Sequence, residues 1–144
     1  MNFAYLHLLM NHIPVVGLPI VFMFLAYGLY NRNLAMQRFS LFVLFGIAAM
    51  VIPVYLTGEP AEKMIEHLPG FAETFIGAHE DSAMYSLILT IAAGLASLIS
   101  LLLKKNRSAT FVVLGVTAVA VLSLMYTANL GGKVRHTELR ENLE

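Results

Sequence analysis

Residues 13–30 read IPVVGLPIVFMFLAYGLY, a run without one charged side chain. As an α-helix it rises about 27 Å, close to the roughly 30 Å hydrocarbon core of a bilayer. Three further uncharged runs follow: 39–56 (FSLFVLFGIAAMVIPVYL), 83–103 (AMYSLILTIAAGLASLISLLL) and 109–129 (ATFVVLGVTAVAVLSLMYTAN). Each is long enough to cross on its own, so the expected fold is all-α, a four-transmembrane-helix antiparallel bundle forming one domain over 1–144. Composition agrees, because 58% hydrophobic residues, 12% charged residues and a mean hydropathy of +0.75 exceed what a soluble domain of this size carries. The first run lacks a basic leader and a small-residue cleavage site, so it is expected to remain in the chain.

The connections at 31–38 and 104–108 are short, which makes the spans they join antiparallel neighbours. They carry Arg32, Arg38, Lys104, Lys105 and Arg107 and no acid. All nine acidic residues and all five histidines fall at the opposite end, beside Lys63, Lys133, Arg135 and Arg140. The positive-inside rule then predicts a bacterial inner-membrane protein with basic loops in the cytoplasm and both termini in the periplasm. Nothing in this pattern suggests nucleic-acid binding.

The long connection, 57–81, is expected to open with a short interfacial helix. Thr57 is placed to cap it, Pro60 suits its first turn, and Glu59 and Glu62 sit at its positive end. Leu68-Pro69-Gly70 should break that helix, after which Phe71, Phe75 and Ile76 lead through His79 into the third span. Ala92, Ala93, Gly94, Ala96 and Ser97, with Gly115, Ala118 and Ala120, offer close helix approach. Pro14, Pro19 and Pro53 each free a carbonyl inside an apolar run.

With no cysteine in the chain, a cofactor must be held by His, Met, Tyr or carboxylate. His7 and His12 are five residues apart and about 140° apart around a helix, so only one of them faces the bundle. His12, deeper and beside Pro14, is read as the inward one. His79 with Glu80 enters the third span, and His136 follows Gly131-Gly132, a pair expected to end the fourth helix and fold the tail over the bundle mouth. Glu62, Glu80 and Glu138 are the carboxylates placed near those imidazoles; Met10, Met84 and Met125 are soft ligands within reach; His67 is assigned to solvent. Ionisable groups at a membrane end of this kind point to function.

The strings Leu6-His7 with Asn11-His12-Ile13-Pro14, Thr57-Gly58-Glu59-Pro60-Ala61-Glu62, His79-Glu80, and Gly131-Gly132 with His136 carry a likeness. The chain resembles a family of small, largely uncharacterised bacterial four-helix integral membrane proteins with HxxxNHxP, TGxPAE, HE and GGxxRH motifs. That resemblance implies a membrane bundle and covers nearly the whole chain. The chain is also broadly similar to four-helix b-type cytochromes, in which His on facing helices ligate haem. It departs from the two-haem members of that class in having no His in the half that carries the basic loops.

The expected function is therefore a membrane redox or electron-transfer protein. Two imidazoles from His12, His79 and His136, with His7 as a further candidate, would hold haem b near the periplasmic face. Expected partners are the lipid bilayer, a quinone, a periplasmic cytochrome or a larger membrane complex. A second expectation is a Zn, Fe, Mn or Cu ion held by His12, His79, His136, Glu62, Glu80 and Glu138. A third is a structural or accessory subunit whose histidines bind nothing.

Overall fold

In the computed structural model, which describes residues 2–103 and 106–136, the chain forms α1 (Phe3–Tyr30), α2 (Leu34–Leu56), α3 (Gly58–Glu62), α4 (Glu73–Leu102) and α5 (Arg107–Arg135). The four long helices are apolar and long enough to cross a membrane. They pack as an all-α bundle, consistent with a multi-pass membrane protein. Around the bundle the order is α1, α2, α4, α5, each helix packing on the next, with α1 and α4 across a diagonal. The short α3 seats against α1 and α2.

Local chemistry sets the helix ends. Asn2, Asn33 and Asn106 each accept, through the side-chain oxygen, a hydrogen bond from the main-chain N–H three residues on, which caps α1, α2 and α5. The α1–α2 turn closes with Arg32 at φ 54°, while Asn33 N–H donates to the Gly28 carbonyl at 2.9 Å. At the other end α1 and α4 begin ten residues before the uncharged runs they contain. Those ten residues add about 15 Å of helix to each at the histidine end.

Two expectations about breaks are corrected. The pair Gly131-Gly132 does not end the fourth helix, since α5 continues to Arg135 with His136 as its C-cap. The space left by the missing Gly131 side chain is instead taken by the His79 ring. Thr57 stands before α3 but does not cap it through its side chain. Its hydroxyl is turned back to donate to the Val54 carbonyl at 2.7 Å. Pro14 and Pro19 lie inside α1 and Pro53 inside α2, and both helices continue through them.

The core is asymmetric. From α1 and α2 it takes Leu18, Val21, Leu25, Leu41, Leu44 and Ile47. From α4 it takes mostly hydroxyls: Ser82, Ser86, Thr90, Ser97 and Ser100 are all buried, together with Ala93 and Gly94. Their spacing of three and four residues makes a single stripe. Opposite it, Thr110, Thr117 and Thr127 of α5 are also buried. Where lipid outside is as apolar as leucine inside, small side chains allow close contact and their hydroxyls bond between helices. Tyr27 and Tyr30 are exposed at one end, and Tyr5, Tyr85 and Tyr126 toward the other, the distribution of interfacial aromatic belts.

Thr90 stands apart, because its buried Oγ1 has no hydrogen-bond partner among the described residues. A buried hydroxyl without a partner destabilises by about 1–3 kcal/mol, and an apolar group of the same shape removes that penalty. Thr90→Val is accordingly expected to leave the melting midpoint unchanged or to raise it. Ser86→Ala, which breaks bonds to Ser123 and Thr127, should lower it; thermal unfolding of the two variants side by side checks the contrast.

Candidate functional site

Antiparallel packing brings the first turns of α1 and α4 to the last turns of α2 and α5. His7 projects from α1 toward α2, where its Nδ1 lies 3.0 Å from the Val54 carbonyl oxygen and 3.0 Å from Thr57 Oγ1. A carbonyl only accepts, so Nδ1 carries the proton and Nε2 keeps its lone pair. Val54 belongs to the last turn of α2, where its carbonyl accepts the Thr57 main-chain N–H at 3.2 Å. The imidazole and the Thr57 hydroxyl add to that bond. Half-buried, His7 is thus held in one tautomer and one orientation.

His79 repeats the arrangement on α4. Its Nδ1 donates to the Thr127 carbonyl of α5 at 3.0 Å, leaving Nε2 as the acceptor. The ring packs onto the α5 backbone at Gly131, where an added Cβ would come within 3.0 Å of Cε1. Directly below, the Thr127 hydroxyl meets Ser82 Oγ at 2.6 Å and Ser86 Oγ at 2.8 Å. His79 therefore sits at the head of the hydroxyl stripe. The two histidines lie on helices that stand across the bundle from each other.

The expected inward histidine is corrected. His12 is exposed, with Nδ1 donating to the Leu8 carbonyl of its own helix at 2.6 Å, and His7 takes the inward direction. His136 lies past the end of α5 and is exposed; His67 is exposed in the turn after α3. Met84 and Met125 are on the outer surface and Met10 is partly buried. Glu138 lies outside the described residues.

Glu62 and Glu80 form a separate pair beside the histidines. Burial, and then a hydrogen bond with Glu80 and the charges of Glu80, Glu66 and Glu59, push the Glu62 carboxyl above its ordinary value. Folding thus takes up protons here. The destabilising cost of ionised Glu62 is present above its raised value and disappears as pH falls to the ordinary carboxylate range. Glu62→Gln is expected to raise the melting midpoint near pH 7 and to leave it unchanged near pH 4, an effect below about 1 kcal/mol for a partly exposed group. Melting curves across that pH range check it. Glu59 and Lys63 form an exposed ion pair at 2.6 Å on the outer side of α3.

Thr127, Ser82 and Gly131, which help position the imidazoles, were not singled out as site residues from sequence, whereas the Thr57 hydroxyl is one the sequence itself offers to the second nitrogen of a ligand imidazole. The signal was present for Ser82, which with Ser86 shares one helix face with His79. Among the described residues, no three of His, Asp and Glu gather into a group able to hold a metal ion. The arrangement is one of pairs: two oriented imidazoles and, next to them, two carboxyls. No family model matches the chain, and neither the curated proteins nor the solved structures contain a match to it.

Proposed function

We propose that the chain is a membrane redox protein in which His7 and His79 hold one haem b at the histidine end of the bundle. One observation carries this reading: each imidazole, on its own helix, donates Nδ1–H to a main-chain carbonyl and keeps an Nε2 lone pair. A histidine bound to iron needs that tautomer, and the hydrogen bond at its second nitrogen fixes the ring and raises its basicity. When bound, the haem would supply one-electron chemistry. The residues do the rest: Val54, Thr57 and Thr127 hold the rings, and Gly131 makes room for His79.

The charge asymmetry of the loops supports placing the arginine end in the cytoplasm and both termini in the periplasm of a bacterial inner membrane. An acidic mouth there suits a quinone or the basic surface of a periplasmic cytochrome. Membership of the small four-helix membrane family suggested by the sequence strings is part of the same proposal. The alternative of a non-haem ion requires a third protein donor, and the described residues bring together only pairs.

The test is the visible spectrum of detergent-purified protein, oxidised and then dithionite-reduced, with elemental analysis of the same sample. A Soret band that shifts on reduction, with sharp visible bands and about one iron per chain, is expected. A colourless protein with stoichiometric metal would overturn the haem in favour of an ion site. A colourless, metal-free protein that copurifies with another subunit would leave an accessory role.

A further inference from the structure

The far end of the bundle, away from the histidines, holds a cavity of about 700 Å³ lined by Arg32, Gln37, Arg38, Ser100, Arg107 and Thr110, with leucines between them. Three arginines from three separate segments line it: Arg32 of the α1–α2 turn, Arg38 of the second turn of α2 and Arg107 of the first turn of α5. None makes an ion pair with any described residue. The sequence contains no acid before Glu59, and none between Asp81 and Glu138. Positive charge gathered in one concavity with nothing to neutralise it attracts an anion.

The polar groups around it are held in place. Gln37 is buried, with its side-chain amide donating to the Gly28 carbonyl at 2.9 Å. Ser100 and Thr110 share a hydrogen bond of 3.1 Å across the α4–α5 contact. Arg107 reaches over α5 and donates to the Leu29 carbonyl in the last turn of α1 at 3.5 Å, while its guanidinium rests on the Phe111 ring. Two of the helices lining the cavity, α2 and α5, begin here, and neither carries an acid in its first turn. Their positive dipole ends add to the field of the arginines. Loop arginines that only set topology need number, whereas these also share a site.

We infer that this cavity binds a phosphate group, with Arg32, Arg38 and Arg107 around the anion and the bonded Ser100–Thr110 pair as its polar floor. Guanidinium forks match phosphate oxygens in shape and charge. At a membrane interface the same chemistry comes from two sources, the headgroup of an anionic lipid or free phosphate in solution. Basic pockets between membrane helices are built for headgroups.

The experiment uses the full chain in nanodiscs of phosphatidylcholine, alone or mixed with phosphatidylglycerol, and in phosphatidylcholine nanodiscs with added inorganic phosphate. The readouts are the lipid retained after detergent extraction, by mass spectrometry, and the melting midpoint. Retained lipid is expected to be enriched in phosphatidylglycerol over the bulk mixture. That enrichment should fall about fivefold in Arg38→Gln and in Arg107→Gln, and stay unchanged in Lys63→Gln at the opposite end. A midpoint raised by inorganic phosphate without phosphatidylglycerol supports the same pocket with a soluble anion as its ligand. Retained lipid of bulk composition, together with no response of the wild-type midpoint to phosphate, overturns the inference. The wild-type comparison needs no variant, so an arginine variant that fails to fold leaves the test intact.

Discussion

His79→Ala and His7→Ala are each expected to purify without cofactor, whereas His12→Ala and His67→Ala keep the full complement. The expectation rests on direction. His7 and His79 point into the bundle and bond to carbonyls of neighbouring helices, while His12 bonds only to its own helix and His67 is exposed in a turn. Removing one of two imidazoles from an iron leaves a single protein ligand, so the Soret band and the iron content should fall together. A graded series sharpens the test. Thr57→Val removes the hydroxyl beside His7 but keeps the Val54 carbonyl, and loss of such a supporting group costs about 10–100-fold in affinity. Gly131→Val places branched carbons where the His79 ring packs and should displace His79 while α5 stays helical by circular dichroism. Equal cofactor content in His79→Ala and His67→Ala would remove His79 from the site. Loss in His12→Ala with retention in His7→Ala would reverse the assignment of the inward ring.

The four spans were legible because hydropathy over some twenty residues is a sum, and errors at single positions average out. The entry of the third span through His79, and the turn at Leu68-Pro69-Gly70, were legible for a similar reason: apolar spacing and helix breakers act locally. Which histidine of the first helix faces inward was not. His7 and His12 are fixed relative to each other by helix geometry, but α1 is apolar almost all round, so nothing local sets its rotation. Its rotation follows from the packing of Leu18, Val21, Leu25 and Leu29 against the other helices, and it brings His7 to partners nearly fifty residues away, the Val54 carbonyl and the Thr57 hydroxyl. Gly131-Gly132 misled in a related way. A glycine pair reads as a helix end on propensity alone, yet here tertiary contact with His79 uses the missing side chain and the helix continues. The hydroxyl stripe of α4 was open to reading at its three- and four-residue spacing, but a hydropathy sum treats Ser86 and Thr90 as mild defects in an apolar run.

Gly94→Leu is expected to lower stability by about 3 kcal/mol or more, the upper range for overpacking a close contact. Gly94 is buried on α4 against Ala48 of α2, and a Cβ built on it would overlap the Ala48 methyl while also nearing the backbone of Phe45. Backbone on one side and a methyl without rotamers on the other leave nothing that can swing away. The two helices must separate, and with them the contact by which α4 joins the α1–α2 pair. The contact admits one methyl, so its position is exchangeable: Gly94→Ala alone should destabilise, and adding Ala48→Gly should restore most of the loss. That coupling is measurable as a double-mutant cycle in denaturant unfolding from detergent. Gly115 provides the control, because nothing lies within 4 Å of a Cβ built there. Gly115→Ala should be neutral or stabilise by up to about 1 kcal/mol through helix propensity. If Gly94→Ala and Gly115→Ala behave alike, α2 and α4 do not meet at Gly94; if the exchange with Ala48 restores stability, that meeting point sets how close the two halves of the bundle stand, and with it the spacing of the helices that carry His7 and His79.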